Sequence, residues 1–343
     1  MRREVLLFEG GPLAKTARQS GVDVKVLRKK SRNWRLSSQL VSLWSALRGS
    51  DADVVVSNSL KSALLLAVVR PKGKTYIYYL REGLSVDTLT GFKRVIVLKY
   101  LLPRFDGFLA NSQWTASTIP ESLLSKPLRI AYPLSGAKAA SEVTAARPSD
   151  ATKLRVLSLS RLTRWKGVHV LLDAAAILKE RGLGDRLEVT IAGADLFDEN
   201  NYVDEIQKRA LELTGIVRLI GHVDDVGPLL AESDLLAVCS LNPEPFGQVI
   251  VQAISAGLVV IATNQGGPVE ILGDSEAGIL IPGGDSHALA DELELLISSD
   301  GLLEKLSNSD PTAATRFSDE SLSAAFDSSV LEILSELGIP ASR

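Results

Sequence analysis

Three short segments of the chain bring cations, a carboxylate and paired glycines to places where an anionic ligand could be held. Ser160-Arg161-Leu162-Thr163-Arg164-Trp165-Lys166-Gly167 follows the apolar run 154–159 and opens a helical stretch. If that run is a strand of a parallel sheet, the turn lies at its carboxyl end, beside the positive N-terminus of the next helix, where anions bind. Arg161 and Lys166 could then approach a diphosphate from two sides; in isolation, two cations in a loop are more ordinarily solvated charge. Both are expected to be surface side chains with little packing role. Pro243-Glu244-Pro245-Phe246-Gly247 follows the run 235–239 and precedes another helix. There Glu244 could accept from sugar hydroxyls while the unpaired amides of a helix start donate to phosphate oxygens; by itself the pentapeptide reads as a proline-bounded turn. Gln265-Gly266-Gly267-Pro268-Val269-Glu270 is the third turn. Paired glycines let backbone approach an anion closely, and proline suits a first helical position.

These turns need a scaffold that brings them to one edge. Strand-like runs at 4–8, 22–27, 53–57, 75–80 and 107–110, and again at 154–159, 187–192, 217–220, 235–239, 259–262 and 278–281, alternate with helical ones. That alternation is the pattern of α/β doubly wound parallel sheets. The expected domains are 1–135 and 154–318, joined by an Ala-, Ser- and Thr-rich linker at 136–153 and followed by a final helical segment at 319–343. That segment carries one apolar stripe, Leu322, Ala325, Phe326, Val330, Leu331 and Leu334, and the N-terminal domain is one candidate for what it packs against.

Taken together the motifs resemble the donor domain of retaining GT-B glycosyltransferases, the large group that includes glycogen and sucrose synthases and many bacterial cell-wall and polysaccharide enzymes. The resemblance runs from residue 160 to about 296 and rests on Ser-Arg-Leu-x4-Gly, Gly221-His222-Val223, Pro-Glu-Pro-Phe-Gly and Gly-Gly-Pro-x-Glu in the family's order. It implies the GT-B fold, two Rossmann-like domains facing a cleft. It also implies transfer of a sugar from a nucleoside diphosphate sugar to a hydroxyl acceptor, with retention of configuration and without a metal or other cofactor. By the same resemblance Arg161 and Lys166 bind the diphosphate and Glu244 the donor-sugar hydroxyls. The amides of Phe246 and Gly247 approach sugar and phosphate, with Gly266 and Gly267 also on the donor side, and the nucleobase lies near Gly221 and His222. Gln252 departs from the pattern, because the family usually has a second glutamate eight residues after the first, on the ribose hydroxyls. An amide retains one hydrogen bond but loses charge assistance, so weaker donor binding is expected, with Gln252→Glu tightening it roughly tenfold.

The N-terminal half resembles the acceptor domain less closely. Glu9-Gly10-Gly11-Pro12, a short helix and Gly21-Val22-Asp23-Val24 look like that domain's second helix and third strand, which would leave its opening strand, loop and helix missing. The alternative is that Gly10-Gly11 is itself the opening loop. Many relatives place a histidine after the fourth acceptor-domain strand, whereas the first histidine here is His169. The matching segment makes Arg81 and Glu82 the acceptor-side candidates. Arg81 stays protonated and could only bind anions or polarise an acceptor, and Glu82 could act as a base; a structural ion pair is equally open for both.

Composition narrows the partners. Residues 1–150 hold 24 Lys and Arg against 11 Asp and Glu, whereas the remainder holds 14 against 30. A basic half suits a phosphorylated or lipid-linked acceptor or an anionic membrane surface, or simply a solvated basic face. The segment 92–104 leaves the same choice between a membrane-surface helix and an ordinary amphipathic one. No nucleic-acid partner is expected. No apolar run approaches the ~20 residues that span a bilayer, and the N-terminus lacks the apolar core of a leader peptide. With Cys239 the single cysteine, a cytoplasmic protein, in places peripheral to the inner membrane face, is expected. Asp51-Ala52-Asp53 imitates a metal-binding acidic triplet but precedes its strand, at the edge away from ligands. No G-x-G-x-x-G opens either half, which weighs against a dehydrogenase. A nucleotide-sugar-binding protein without catalysis and a sugar-nucleotide epimerase of the same fold are the rival readings.

Overall fold

The computed structural model of the protein describes residues 4–27, 36–85, 89, 91–136, 152–195, 200–273, 275–307 and 315–340. The chain divides into two compact units, one made of 1–111, 116–130 and 328–343, the other of 112–115 and 131–327.

In the first unit, β1 (Glu4–Leu7) pairs in parallel with β2 (Asp23–Val26). Parallel pairing needs a crossover, and the helix Pro12–Gln19 supplies it, with Gly11 as its N-cap and proline in its first turn. Gly10-Gly11 is therefore the loop between β1 and this helix. A second parallel sheet has the order β3 (Val54–Ser57), β4 (Thr75–Leu80), β5 (Gly107–Ala110), β6 (Leu128–Ile130). β4 and β5 consist almost entirely of aliphatic and aromatic residues and are almost wholly buried, as strands covered on both faces must be. β6 is absent from the sequence expectation: three residues are too few for a period-2 signal, and the middle one is Arg129. Its guanidinium is held by Glu332 at 2.7 Å and Glu336 at 2.9 Å, both from the last helix, Asp319–Glu336.

The second half of that helix belongs to the first unit, where Ser329 Oγ donates to Ile130 O at 3.1 Å. Its buried stripe is Leu322, Ser329, Val330, Ile333 and Leu334, whereas Ala325 and Leu331, expected inside, are exposed. Leu331 lies a helical step of about 100° from Val330, which turns it outward. The basic segment is helical at Gly91–Ile96, widens to a π-turn at Val97–Leu101 and tightens at Leu102–Arg104. Val97, Leu101 and Leu102 are buried; Phe92, Val95 and Tyr100 are exposed beside Lys93 and Lys99.

The second unit is built on one six-stranded parallel sheet, β7 (Leu154–Leu159), β8 (Leu187–Ala192), β9 (Val217–Gly221), β10 (Leu235–Val238), β11 (Val259–Thr263) and β12 (Gly278–Ile281), in the order β12-β11-β10-β7-β8-β9. β10 and β11 are completely buried runs of Leu, Val, Ile and Ala, ending in Thr263. Alternate residues serve opposite faces: Val156, Leu235 and Ile261 meet the helices Val168–Glu180 and Ser286–Ser298, whereas Leu157, Leu236 and Val260 meet Gln248–Ser255. From β7 the chain runs outward to β9, then returns to β10 on the other side of β7. The break in order falls between β7 and β10, and in open α/β sheets ligands bind outside the strand ends at such a break. At the opposite edge the same two strands are locked by Arg155, whose Nε and Nη2 donate to the Asp234 carboxylate at 2.9 and 2.7 Å.

Residues 131–135, expected in the first domain, belong to the second unit. Tyr132 stacks on Phe246 at 5.4 Å, Gln248 Nε2 donates to Leu134 O, and the amides of Ser135 and Gly136 donate to Asp319 Oδ1 at 2.9 and 3.2 Å. The rest of the expected linker, apart from residues 152 and 153, lies outside the described residues.

Glycines at the two ends of the helix Val168–Glu180 separate conformational need from steric need. Gly167 (φ 67°) and Gly182 (φ 80°) are both left-handed, but a Cβ on Gly167 would lie 1.9 Å from Cys239 O, whereas one on Gly182 meets nothing within 4 Å. Gly182→Ala is expected to cost about 1 kcal/mol and Gly167→Ala about 3 kcal/mol or more, because strand-end backbone must move. Denaturant unfolding of both variants checks the difference; equal losses would mean the close approach is unimportant.

Candidate functional site

The loops after β7 and β10 are laced together by backbone before any charged side chain is considered. Leu241 N donates to Trp165 O at 2.7 Å, and the absent side chain of Gly167 admits the Cys239 carbonyl. A 3-10 turn, Arg164–Lys166, then directs Lys166 across the break in strand order. Its Nζ donates to Glu244 Oε2 at 2.6 Å, and Ser240 Oγ donates to the same oxygen at 2.9 Å. The Lys166 and Glu244 side chains are only 14% and 13% exposed. This corrects the expectation for both cations: Arg161 is half-buried, and Lys166 is a largely enclosed ion-pair partner, because the strand order places its loop against that of Glu244. Arg161 Cζ and Lys166 Nζ flank one ring, lying 5.9 and 4.3 Å from the Trp165 centroid, within reach of the ring's negative face.

The third turn fixes Glu244 from behind. Gly267 N donates to Glu244 O at 2.7 Å, and Glu244 and Gly266 form a parallel bridge. A Cβ on Gly266 would lie 2.2 Å from Glu244 O, and one on Gly267 2.2 Å from Phe246 O. The close approach these glycines permit is to the backbone of the preceding loop. Phe246 is 2% exposed, packed between Tyr132 and Phe317, so its side chain is core while its backbone leads into Gly247, the left-handed N-cap (φ 102°) of Gln248–Ser255.

Gly221 and His222 sit at the end of β9, two strands from β7. Gly193 links them to the first loop: its N–H donates to Gly221 O at 2.7 Å, and its missing Cβ leaves room for Ser160 O. His222 is well exposed and lies 3.2 Å from Asp224. Gln252 lies beside the segment after β6: its Nε2 donates to Ser135 O at 2.6 Å. Arg81 and Glu82, in the first unit, follow β4 and are exposed, and neither forms an ion pair among the described residues. Burial pushes the neighbouring Tyr79 hydroxyl up to about 12, with Arg81 opposing; burial and then the Glu82 charge raise that of Tyr78.

Sequence reading missed Ser240, Trp165 and the partner of Glu270. A serine at a strand end four residues before a carboxylate, and an aromatic between two cations, were legible local signals. Glu270 was not, since its carboxylate accepts from Gln113 N at 2.7 Å, across 157 residues of sequence. Burial raises the Glu270 pKa, opposed by the Gln113 and Trp114 amides. Among the described residues no three His, Cys, Asp or Glu side chains cluster as a metal site would require.

Comparison with known proteins matches residues 141–311 to the family model "Glycosyl transferases group 1". The chain is 34% identical over 154 residues to a phosphatidyl-myo-inositol mannosyltransferase of Mycobacterium leprae, covering 44% of this chain and 39% of the relative. It is 28% identical over 257 residues to a D-inositol 3-phosphate glycosyltransferase of Corynebacterium urealyticum, covering 71% and 59%. The chain thus spans less than two thirds of the length of either. Among solved structures it resembles Anabaena HepE in complex with UDP and glucose (TM-score 0.80, 23% identity, 97% of this chain and 91% of that one). It also resembles the sucrose-phosphate synthase of Thermosynechococcus elongatus (TM-score 0.75, 16% identity, 98% and 100%). With two units of parallel α/β sheet and these neighbours, the chain has the GT-B fold, and its residues 141–311 are a glycosyl transferases group 1 domain.

Proposed function

We propose that the protein transfers a sugar from a nucleoside diphosphate sugar to a hydroxyl acceptor, with retention of configuration and without a metal. The observation that carries this is the Lys166–Glu244 pair across the β7/β10 break, one cation and one carboxylate where a parallel sheet binds ligands. A nucleoside diphosphate sugar needs both: positive charge for its phosphates and an acceptor for its sugar hydroxyls. Gly221 and His222 lie two strand spacings, roughly 10 Å, along the same edge from β7, which suits a base at one end of a ligand whose diphosphate lies at the other. As the glycosidic bond breaks, charge grows on the leaving pyrophosphate, so Arg161 and Lys166 stabilise the transition state more than the ground state. Attack from the leaving-group face, with a donor phosphate oxygen taking the acceptor's proton, requires no protein nucleophile.

UDP-glucose is the first donor to test, since a HepE complex contains it. The basic first half, and relatives named for phosphatidyl-inositol and inositol phosphate, favour a phosphorylated or lipid-linked acceptor. Arg81 and Glu82 are the acceptor-side candidates. No helix among the described residues is long and apolar enough to cross a membrane. The face bearing Phe92, Lys93, Val95, Lys99 and Tyr100 fits peripheral contact with an anionic inner membrane surface from the cytoplasm. Incubation with a panel of nucleoside diphosphate sugars and alcohol acceptors, followed by product analysis, tests the activity. Absence of both transfer and donor hydrolysis would leave a binding protein instead.

Arg161→Ala and Lys166→Ala should each weaken nucleoside diphosphate binding about ten- to a hundredfold, the worth of a charge-assisted hydrogen bond. Lys166→Ala should also lower thermal stability, by about 1–3 kcal/mol, because it leaves the Glu244 carboxylate enclosed without its cation. Calorimetry and thermal melting separate these effects; undiminished binding in both folded variants would place the diphosphate elsewhere.

For Gln252→Glu the hydrogen bond to Ser135 argues against the gain expected from sequence. A carboxylate would face the Ser135 carbonyl at the position where Nε2 now donates. Loss of that bond and oxygen–oxygen repulsion should leave affinity for the nucleoside diphosphate equal or weaker and lower stability by about 1–2 kcal/mol. A tenfold gain by calorimetry would show that residue 252 reaches the ribose after all.

A further inference from the structure

We propose that Ser240 is a positioning residue that decides which oxygen of Glu244 meets the donor sugar; the proposal rests on the nucleotide-sugar reading of this site. Ser240 lies two residues beyond β10 and is completely buried. Its hydroxyl donates to Glu244 Oε2, the same atom that receives the Lys166 ammonium. Both donors that the described residues bring to this carboxylate therefore fall on one oxygen, and Oε1 is left for a ligand hydroxyl.

A lysine alone does not impose that division. An ammonium is a compact charge on a flexible stem, and it can slide between the two carboxylate oxygens or sit between them. A hydroxyl fixed to the end of a buried strand cannot. With the glutamate backbone held by Gly267 N and the bridge to Gly266, the Ser240 contact restrains the side chain's rotations, that of the carboxylate about its last bond included. Without it the carboxylate is free to turn both oxygens toward Lys166, which would keep the ion pair but withdraw the acceptor from the sugar. The backbone is also set for this contact: Pro243 and Pro245 bracket Glu244, so the loop from residue 240 to 244 has little freedom to bring the carboxylate round by another route.

Two properties distinguish positioning from a packing role. The effect should fall on the sugar and not on the diphosphate, and it should vanish when Glu244 is absent. UDP and UDP-glucose are the probes, with the other uridine and guanosine diphosphate sugars as a panel should the parent prefer one of them. Calorimetry on folded Ser240→Ala is expected to give UDP affinity within about twofold of the parent, while the additional affinity contributed by the sugar falls about fivefold to tenfold, the scale of one hydrogen bond to a charged group. Ser240→Cys, which keeps the side chain's shape in a slightly larger group but is a weaker donor, should fall between. In a Glu244→Ala background, Ser240→Ala should have no further effect on sugar-nucleotide binding, the signature of two residues acting as one unit.

Equal losses for UDP and UDP-glucose, a penalty that persists without Glu244, or unchanged sugar-nucleotide affinity would each overturn the proposal. Should Ser240→Ala fail to fold, the Ser240→Cys comparison in the parent and Glu244→Ala backgrounds carries the same test. Failure of the parent itself to bind any member of the panel would instead refute the nucleotide-sugar reading, and the role of Ser240 with it.

Discussion

Lys166 and Glu244 hold each other across the place where the order of the six-stranded sheet reverses, and most of what surrounds them can be understood as the means of keeping them there. The pair is only about one-seventh exposed, so water screens it weakly and each charge depends on the other. An ion pair in such a setting adds little net stability, since desolvation offsets attraction. Its retention at a ligand-binding edge makes better sense as a preformed charge arrangement, with the ammonium able to share itself with an anion and the carboxylate already turned toward a hydroxyl.

Three loops converge on this pair for reasons that are mainly backbone geometry. Gly167 lets the end of β10 press against the turn after β7, Gly266 and Gly267 let the turn after β11 press against Glu244 and Phe246, and Gly193 lets the turn after β8 press against Ser160. Each is a contact that any side chain would block. The Arg155–Asp234 pair fixes β7 and β10 at their other ends, so the loops start from strands whose register is set. The charged residues thus sit on a frame that exists without them, the arrangement preorganised binding requires.

Much of this was legible in the sequence, and what was not has a common cause. The strands of the second unit announced themselves as short apolar runs between turn residues, and the ligand edge followed from parallel topology, so Arg161, Lys166, Glu244, Gly266 and Gly267 could be named from local pattern. β6 is too short to have a pattern. The boundary after residue 130 and the commitment of Gln252 to Ser135 depend on partners more than a hundred residues away, as does the Glu270–Gln113 bond. Lys166 was misjudged as a surface cation for the same reason: its sequence neighbours are polar and aromatic, and only the strand order brings Glu244 and Ser240 to it. Gly266 and Gly267, paired in a way that suits close approach to an anion, also accommodate the backbone of the preceding loop, which only the tertiary fold reveals.

The central claim concerns where the phosphates of a donor lie, and a crystal structure of the protein with a bound nucleoside diphosphate sugar addresses it most directly. The expected result is a phosphate oxygen within about 3 Å of Lys166 Nζ, at hydrogen-bond distance. Arg161 should lie on the same diphosphate, a sugar hydroxyl on Glu244 Oε1, and the base toward Gly221 and His222. A ligand whose phosphates lie away from the β7 and β10 strand ends, with the Lys166–Glu244 pair untouched, would contradict it.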